Sequence, residues 1–262
     1  LLPDTSTPTM ASTVTTTVST PPKKMTAIQR AMMVHHFDAD FVAADADITI
    51  VKEPVKGVPG AYVLKGVLTD AECQKFKNIT EEIGFTEAPI STGLNSAVMR
   101  TDIRDNKRVM ATISESSLAA LQKRIAAYID QEIIADGYKW HAMEGAAGLN
   151  ERLRFYKYEV GQEFKPHYDG CFPRSEKECS FFTFIIYLNG GLEGGQTAFF
   201  IDNDEFLVNP ELGQALVFWH RTDLSPYHAG LPHASEGKSK YVLRSDLMYT
   251  RGEAVPKAGK RQ

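Results

Sequence analysis

The stretch RLRFYKYEVGQEFKPHYDG, residues 152–170, decides how the chain is read. It runs from a strand through a Gly161-Gln162 turn into His167-Tyr168-Asp169. In an extended segment residues two apart share a face, so the imidazole and the carboxylate converge on one ion. Two ligands are too few, and a third is expected from a distant strand. His228 lies 59 residues beyond Asp169 in YHAGLP (227–232), just ahead of a β-branched and aromatic run, Tyr241 to Tyr249. Two histidines and one carboxylate on one face leave coordination positions open, an arrangement suited to non-haem Fe(II).

Two competitors share this pattern. His36-Phe37-Asp38 has the same spacing, but it sits in an Asp-rich segment without the strand and turn that precede His167. His233 follows His228 by five residues, and Pro232 between them keeps both from pointing inward together. His35, His141 and His220 read as surface or core histidines.

Around this stretch, the sequence beyond residue 150 is a series of short β-branched and aromatic runs separated by Gly, Pro, Asn and Asp: 152–159, 181–188, 197–201, 215–219 and 240–249. That is the grammar of an all-β core. Upstream, 61–68 reads as a strand. Thr69 and Glu72 then form a capping-box pattern, and Cys73, Phe76, Ile79 and Ile83 recur at helical spacing, predicting a helix over about 70–83. Leu118, Leu121, Ile125, Tyr128, Ile129 and Ile133 predict a second helix between Ser114 and Ile134. Between Met25 and Pro59 one strand is expected near Ile48 to Val51. The fold class is mainly β with flanking helices (α+β), an antiparallel barrel or jelly roll. Residues 25–250 are expected to form one domain, with helical support over about 60–135 and the β core over about 150–250. The Ser/Thr/Pro-rich residues 1–24 are expected to be disordered, and the basic end, 251–262, to be a solvated tail.

Composition narrows the function classes. The chain has 262 residues, 43% apolar and 24% charged, enough for a sizeable core. Its net charge of -4 disfavours a nucleic-acid or anionic-lipid partner. No apolar run approaches the roughly 18–20 residues of a membrane helix, and no secretory signal is evident, so a cytoplasmic or nuclear location is expected. Three cysteines without CxxC spacing supply neither a disulfide framework nor structural zinc. Gly190-Gly191 and Gly194-Gly195 read as a tight barrel turn, because no helix with Lys-Ser/Thr comes after them to cradle a nucleotide. Arg100, Arg104, Lys107 and Arg108 form a basic cluster, expected to be a solvated loop, with a flap near the substrate as the functional alternative.

Tyr158-Glu159-Val160-Gly161-Gln162 leading to Pro166-His167-Tyr168-Asp169, then Tyr187-Leu188-Asn189, Glu193-Gly194-Gly195-Gln196-Thr197, Val217-Phe218-Trp219, His228-Ala229-Gly230 and Lys240-Tyr241-Val242-Leu243-Arg244 succeed one another in an order that resembles the 2-oxoglutarate and Fe(II)-dependent dioxygenases of the prolyl 4-hydroxylase type. The resemblance covers about residues 149–250. It implies a double-stranded β-helix (jelly roll) with Fe(II) inside the barrel, 2-oxoglutarate and O2 as cosubstrates, and ascorbate as reductant.

By the resemblance, His167, Asp169 and His228 hold the iron, and a basic residue on the strand after His228 binds the distal carboxylate of 2-oxoglutarate. Lys240 matches that position through its C-terminal neighbours, Tyr241 to Arg244. It lies two residues farther from His228 than is usual, whereas Lys238 has the usual spacing, and Arg244 shares the strand face of Lys240. Tyr187 aligns with a tyrosine that bonds the same carboxylate, and Tyr158 with one near the oxo-acid end. Phe164 stands where relatives often carry a tyrosine at the substrate entrance, and Asp246 where they often carry a tryptophan beside the substrate. Phe182, Phe184, Phe199 and Trp219 are candidates for an apolar wall, with Trp219 also facing substrate. The implied reaction is hydroxylation of a prolyl residue in a protein or peptide, with release of succinate and CO2. The alternatives are a hydroxylase of a free amino acid or small metabolite on the same scaffold, and a non-catalytic binding or sensing module.

Overall fold

The structure is a computed structural model that describes residues 25–44, 46–93, 96–220 and 223–255. The expectation for residues 1–24 and most of the tail expectation lie outside the described residues. Residues 251–254 are not a tail, because the last strand, Lys240–Ala254, runs through them and pairs with Tyr138–Ala142.

Two sheets face each other as a double-stranded β-helix. The larger places Leu153–Tyr158, Lys240–Ala254, Glu178–Tyr187 and Ala215–Trp219 side by side, flanked by Lys107–Ile113 and Val34–Phe37 at one edge and by Tyr62–Lys65 and Val51–Pro54 at the other. The smaller has the order Phe164–His167, Tyr227–Gly230, Thr197–Ile201, Asp204–Val208.

Strand alternation sends successive side chains to opposite faces. Phe182, Phe184, Ile186, Val217, Phe155 and Leu243 point outward into one apolar core with Phe76, Leu121 and Ile125 of the supporting helices. Tyr156, Tyr158, Tyr187, Leu216, Phe218 and Val242 point inward and meet Phe199 and Val208 of the smaller sheet. The helices are thus a backing for the larger sheet, and the space between the sheets belongs to the site.

The first supporting helix, Asp70–Ile83, begins at Thr69 with a complete capping box to Glu72. The second is Glu115–Ile125, capped by Ser114, shorter than its apolar period suggests. Ile133 continues the period by coincidence. It lies in Glu132–Ala135, which pairs with Tyr138–Ala142 across Asp136-Gly137, both at positive φ, the geometry of a tight hairpin turn. The strand expected near 48–51 begins at Val51, and Val34–Phe37 is an additional strand in parallel pairing with Lys107–Ile113. Among the described residues no helix is long and apolar enough to cross a membrane.

Candidate active site

His167 ends the first strand of the smaller sheet, and the register pairs it with His228 on the neighbouring strand. Asp169, two residues on, completes the group. Nε2 of His167 stands 3.6 Å from Asp169 Oδ1 and Nε2 of His228 3.5 Å from Oδ2, and one ligand atom from each residue falls within 4.8 Å of the others. Both rings are held from behind: Nδ1 of His167 donates to the Lys165 carbonyl at 2.8 Å and Nδ1 of His228 to the Pro226 carbonyl at 3.0 Å. A carbonyl only accepts, so these bonds place a proton on Nδ1 and make Nε2 the nitrogen that the neutral ring offers to a metal. Burial lowers the proton affinity of His167, favouring the neutral ring a metal needs.

Asp169 is buried, which by itself would raise its pKa, but the charge of Arg244 holds it well below the ordinary carboxylate range. Arg244 Nη1 donates to Oδ1 at 2.6 Å and Thr183 Oγ1 donates to Oδ2 at 2.7 Å. Behind Thr183 a polar chain runs outward through fully buried His220. Its Nδ1 meets Thr183 Oγ1 at 3.0 Å and its Nε2 meets Ser180 Oγ at 2.8 Å. With the Thr183 proton given to Asp169, His220 donates from Nδ1 and accepts from Ser180 at Nε2, so each polar atom has a role. Two imidazoles and an ionised carboxylate turned toward one point fit a divalent metal with open positions.

Deeper in the same pocket stands Lys240. Only 2% exposed, it lies 4.9 Å from the centre of the Tyr158 ring, and among the described residues no carboxylate pairs with it. Burial alone pushes its ammonium down to about 7. Tyr187 and Thr197 line the same end, their hydroxyls 2.8 Å apart. An unpartnered buried cation beside two hydroxyls fits a dicarboxylate such as 2-oxoglutarate reaching from the metal. Gly195 keeps this cradle open: it adopts φ +75°, and a Cβ there would come within 3.4 Å of Lys240 Cδ and of His233 Cβ.

The other two basic candidates are elsewhere engaged. Lys238 is exposed in the turn before the strand, and Arg244 is committed to Asp169 and, at 3.5 Å, to Asp246. The histidine competitors also lie apart. His36 pairs with Asp38 at 3.0 Å on the surface, and Nε2 of buried His233 bonds the Tyr158 carbonyl at 3.0 Å, fastening the strand that carries Tyr156 and Tyr158.

Of the residues expected to face substrate, Phe164 lines the pocket and stacks on His167 with ring centres 3.6 Å apart. Trp219 and Asp246 do not line it. The Trp219 ring packs outside the larger sheet against Phe182, 4.1 Å between centres, because the alternation that turns Phe218 inward turns its neighbour outward. Asp246 is buried in an ionic network, accepting from Asn150 Nδ2 at 2.8 Å and pairing with Arg154 at 3.2 Å. The expected apolar wall is corrected in the same way. Phe182 and Phe184 face the helices, while Phe199, Phe218 and Ile185 face the pocket side, with Phe218 set edge-on to His228 at 4.7 Å. The sequence pattern does not single out Tyr156, Thr183 or Thr197 as site residues, although Tyr156 stands two residues before Tyr158 and so shares its inward face. Arg104 and Arg108, expected in a solvated loop, are instead each only 7% exposed.

Comparison with known proteins agrees with this geometry. Residues 153–245 match the model of the 2OG-Fe(II) oxygenase superfamily. A probable prolyl 4-hydroxylase 11 of Arabidopsis thaliana is 34% identical over 93 residues, covering 34% of this chain and 30% of that protein. A probable prolyl 4-hydroxylase 6 of the same plant is 24% identical over 201 residues, 66% of this chain and 64% of that protein. The chain thus spans less than two-thirds of the length of each of these relatives. A solved Trichoplax adhaerens prolyl hydroxylase, in complex with a hypoxia inducible factor oxygen degradation domain peptide fragment, superposes with a TM-score of 0.52. It is 19% identical, with 73% of this chain and 83% of that chain covered, and so shares its fold. Residues 153–245, which hold the triad and Lys240, match the 2OG-Fe(II) oxygenase model, and the curated relatives similar to this chain carry the name prolyl 4-hydroxylase.

Proposed function

We propose that the chain is an Fe(II)- and 2-oxoglutarate-dependent dioxygenase that hydroxylates a prolyl residue in a protein or peptide. The observation that carries this reading is one pocket with a metal-ready His167, Asp169 and His228 at one end and an unpaired buried lysine at the other. When bound, the metal and 2-oxoglutarate together direct O2 to a C–H bond, with succinate and CO2 released. His167 and His228 hold the metal through Nε2, their orientation fixed by the Lys165 and Pro226 carbonyls. Lys240, Tyr187 and Thr197 bind and orient the distal carboxylate of the cosubstrate. Phe199, Phe218 and Ile185 keep bulk water from that side. The prolyl target is supported by the relatives named prolyl 4-hydroxylases.

The test is succinate release from 2-oxoglutarate by Fe(II)-reconstituted protein with ascorbate, for wild type and His167→Ala, with and without a Pro-rich peptide library. Iron- and triad-dependent succinate that rises with particular peptides is the expected result. Triad-dependent succinate indifferent to every peptide overturns the prolyl substrate, and no turnover under any condition overturns the enzyme.

A further inference from the structure

The pocket holds more positive charge than its metal and cosubstrate account for. Arg104, Arg244 and Lys240 line it, against Asp169 and the Tyr156 phenol, and behind Tyr156 and Arg244 stand Arg108, Arg154 and Asp246. A divalent metal and a dicarboxylate add charges that cancel each other, so the excess remains when both are bound. Arg244 is matched by Asp169 and Asp246, Arg154 by Asp246, and Arg108 donates to the Ala31 carbonyl at 2.8 Å. Arg104 lines the pocket itself and has no carboxylate within ion-pair distance among the described residues.

Its placement is built. The guanidinium lies between two aromatic rings, 4.3 Å from the centre of Tyr156 and 4.3 Å from that of Phe164. Phe164 in turn stacks on His167. Nε donates to Asn106 Oδ1 at 2.8 Å. The segment that carries Arg104 is pinned to the strand that ends in His167. An Arg104–Phe164 bridge, a Lys165 N–H bond to the Ile103 carbonyl at 3.0 Å and a Glu163 N–H bond to Asp105 Oδ1 at 2.8 Å hold it there. Tyr156 reports the local field. Burial raises its phenol, yet Arg104, Arg244, Arg154 and Arg108 outweigh burial and bring it down to about 7. The Tyr158 hydroxyl lies beside the same guanidinium, and the N–H groups that it leaves facing the pocket fit a planar anion, of which a carboxylate is the natural match.

We infer that Arg104 is a substrate-specificity residue: it binds a carboxylate carried by the substrate close to the carbon that is hydroxylated. The inference rests on the oxygenase reading and narrows its substrate class. The carboxylate has two sources, an acidic side chain flanking the target residue in a peptide or the free α-carboxylate of a terminal residue or amino acid.

The experiment measures binding rather than turnover. The full chain, metal-loaded and anaerobic with 2-oxoglutarate, is titrated calorimetrically with end-blocked proline peptides bearing Asp or Glu beside the proline, with their Asn or Gln counterparts, and with L-proline against its amide. Wild type is expected to prefer the carboxylate member of at least one pair by about tenfold or more, and which pair it is names the source. Arg104→Gln is expected to abolish that preference and Arg104→Lys to restore part of it. Equal affinities within every pair, no binding of any probe, or a preference that survives in both variants overturns the inference. Succinate release by wild type, measured in parallel, reports separately on the oxygenase reading.

Discussion

Arg124 and Lys240 are both taken out of water, and their surroundings differ. Arg124 sits between the two supporting helices with a partner for each of its terminal nitrogens: Nη1 meets Glu72 Oε2 at 2.8 Å and the Val67 carbonyl at 2.9 Å, and Nη2 meets Glu72 Oε1 at 2.7 Å and the Ala43 carbonyl at 2.6 Å. Glu72 is closed from its other side by the backbone N–H groups of Thr69 and Ala43, each at 2.9 Å. Lys240 has an aromatic face and no acid. Burial would raise the Glu72 carboxyl, yet Arg124 and the two N–H groups outweigh it and bring it down to about 2, whereas at Lys240 burial acts unopposed. A buried charge whose bonds are closed within the chain belongs to the fold, and one whose bonds are open belongs to a ligand.

The most severe test of that contrast removes each charge in turn. Glu72→Gln leaves Arg124 buried and uncompensated, and we expect a loss of about 3–5 kcal/mol in urea unfolding, with 2-oxoglutarate affinity of the folded fraction unchanged. Because the folded pKa of Glu72 is depressed, its contribution is present above about 4.5 and is lost as pH falls toward about 2, so the wild type should approach the mutant in acid. Lys240→Met is expected to do the reverse. Stability holds or rises, since a desolvated ammonium is removed, while 2-oxoglutarate binding weakens by about 100-fold, the cost of a buried carboxylate without its cation. A Lys240→Met protein that unfolds like Glu72→Gln would end the distinction.

The two regions are also unequally legible in the sequence. The Thr69–Glu72 cap, the 70–83 helix and the strand-turn-HxD stretch are local patterns, and local chemistry fixes them: a cap needs an oxygen at one position and a carboxylate three later, and an extended tripeptide turns its ends to one face. The inward set can be read only with the strand phase known. Trp219 and Phe182 lie one residue out of phase with the pocket, and a slip of one exchanges the faces completely. Arg104 is hidden for another reason. A basic cluster reads as a solvated loop, and its burial depends on Tyr156 and Phe164, which lie more than 50 residues away. The partners of Asp169 need the same long-range information, since Thr183 and Arg244 arrive on two other strands.

Thr183 probes the contrast from the metal side. Its hydroxyl is the link through which His220 and Ser180 orient Asp169. Thr183→Val keeps the shape and removes the donor, and partners of this kind are worth roughly 10-fold or more in metal affinity. The expected result is Fe(II) binding weakened by about that factor, read by competition with a chelator, with the fold intact by circular dichroism. Unchanged metal affinity would make the polar chain a packing feature of the larger sheet.

The mildest change tests the open charge most directly. If Lys240 is pushed down to about 7 in the empty pocket, it is half protonated near neutrality and mostly neutral one unit above. A dicarboxylate selects the protonated form, so binding above pH 7 draws a proton from solution. Apparent 2-oxoglutarate affinity should fall about fivefold from pH 7 to pH 8, with about 0.9 proton taken up per ligand at pH 8. Calorimetry on metal-loaded protein in two buffers of different ionisation enthalpy measures that uptake; the metal keeps the triad from titrating in the same window, and a Tyr156→Phe background removes the other pocket group brought to about 7. The stability of the empty protein moves the other way. The folded state holds fewer protons than the unfolded chain above pH 7, so the burial cost of Lys240 shrinks as pH rises toward the ordinary lysine value. A ligand whose affinity falls while its empty host grows firmer identifies the same ammonium in both measurements, whereas a pH-independent affinity with no proton uptake would mean that Lys240 is already charged and paired before the cosubstrate arrives.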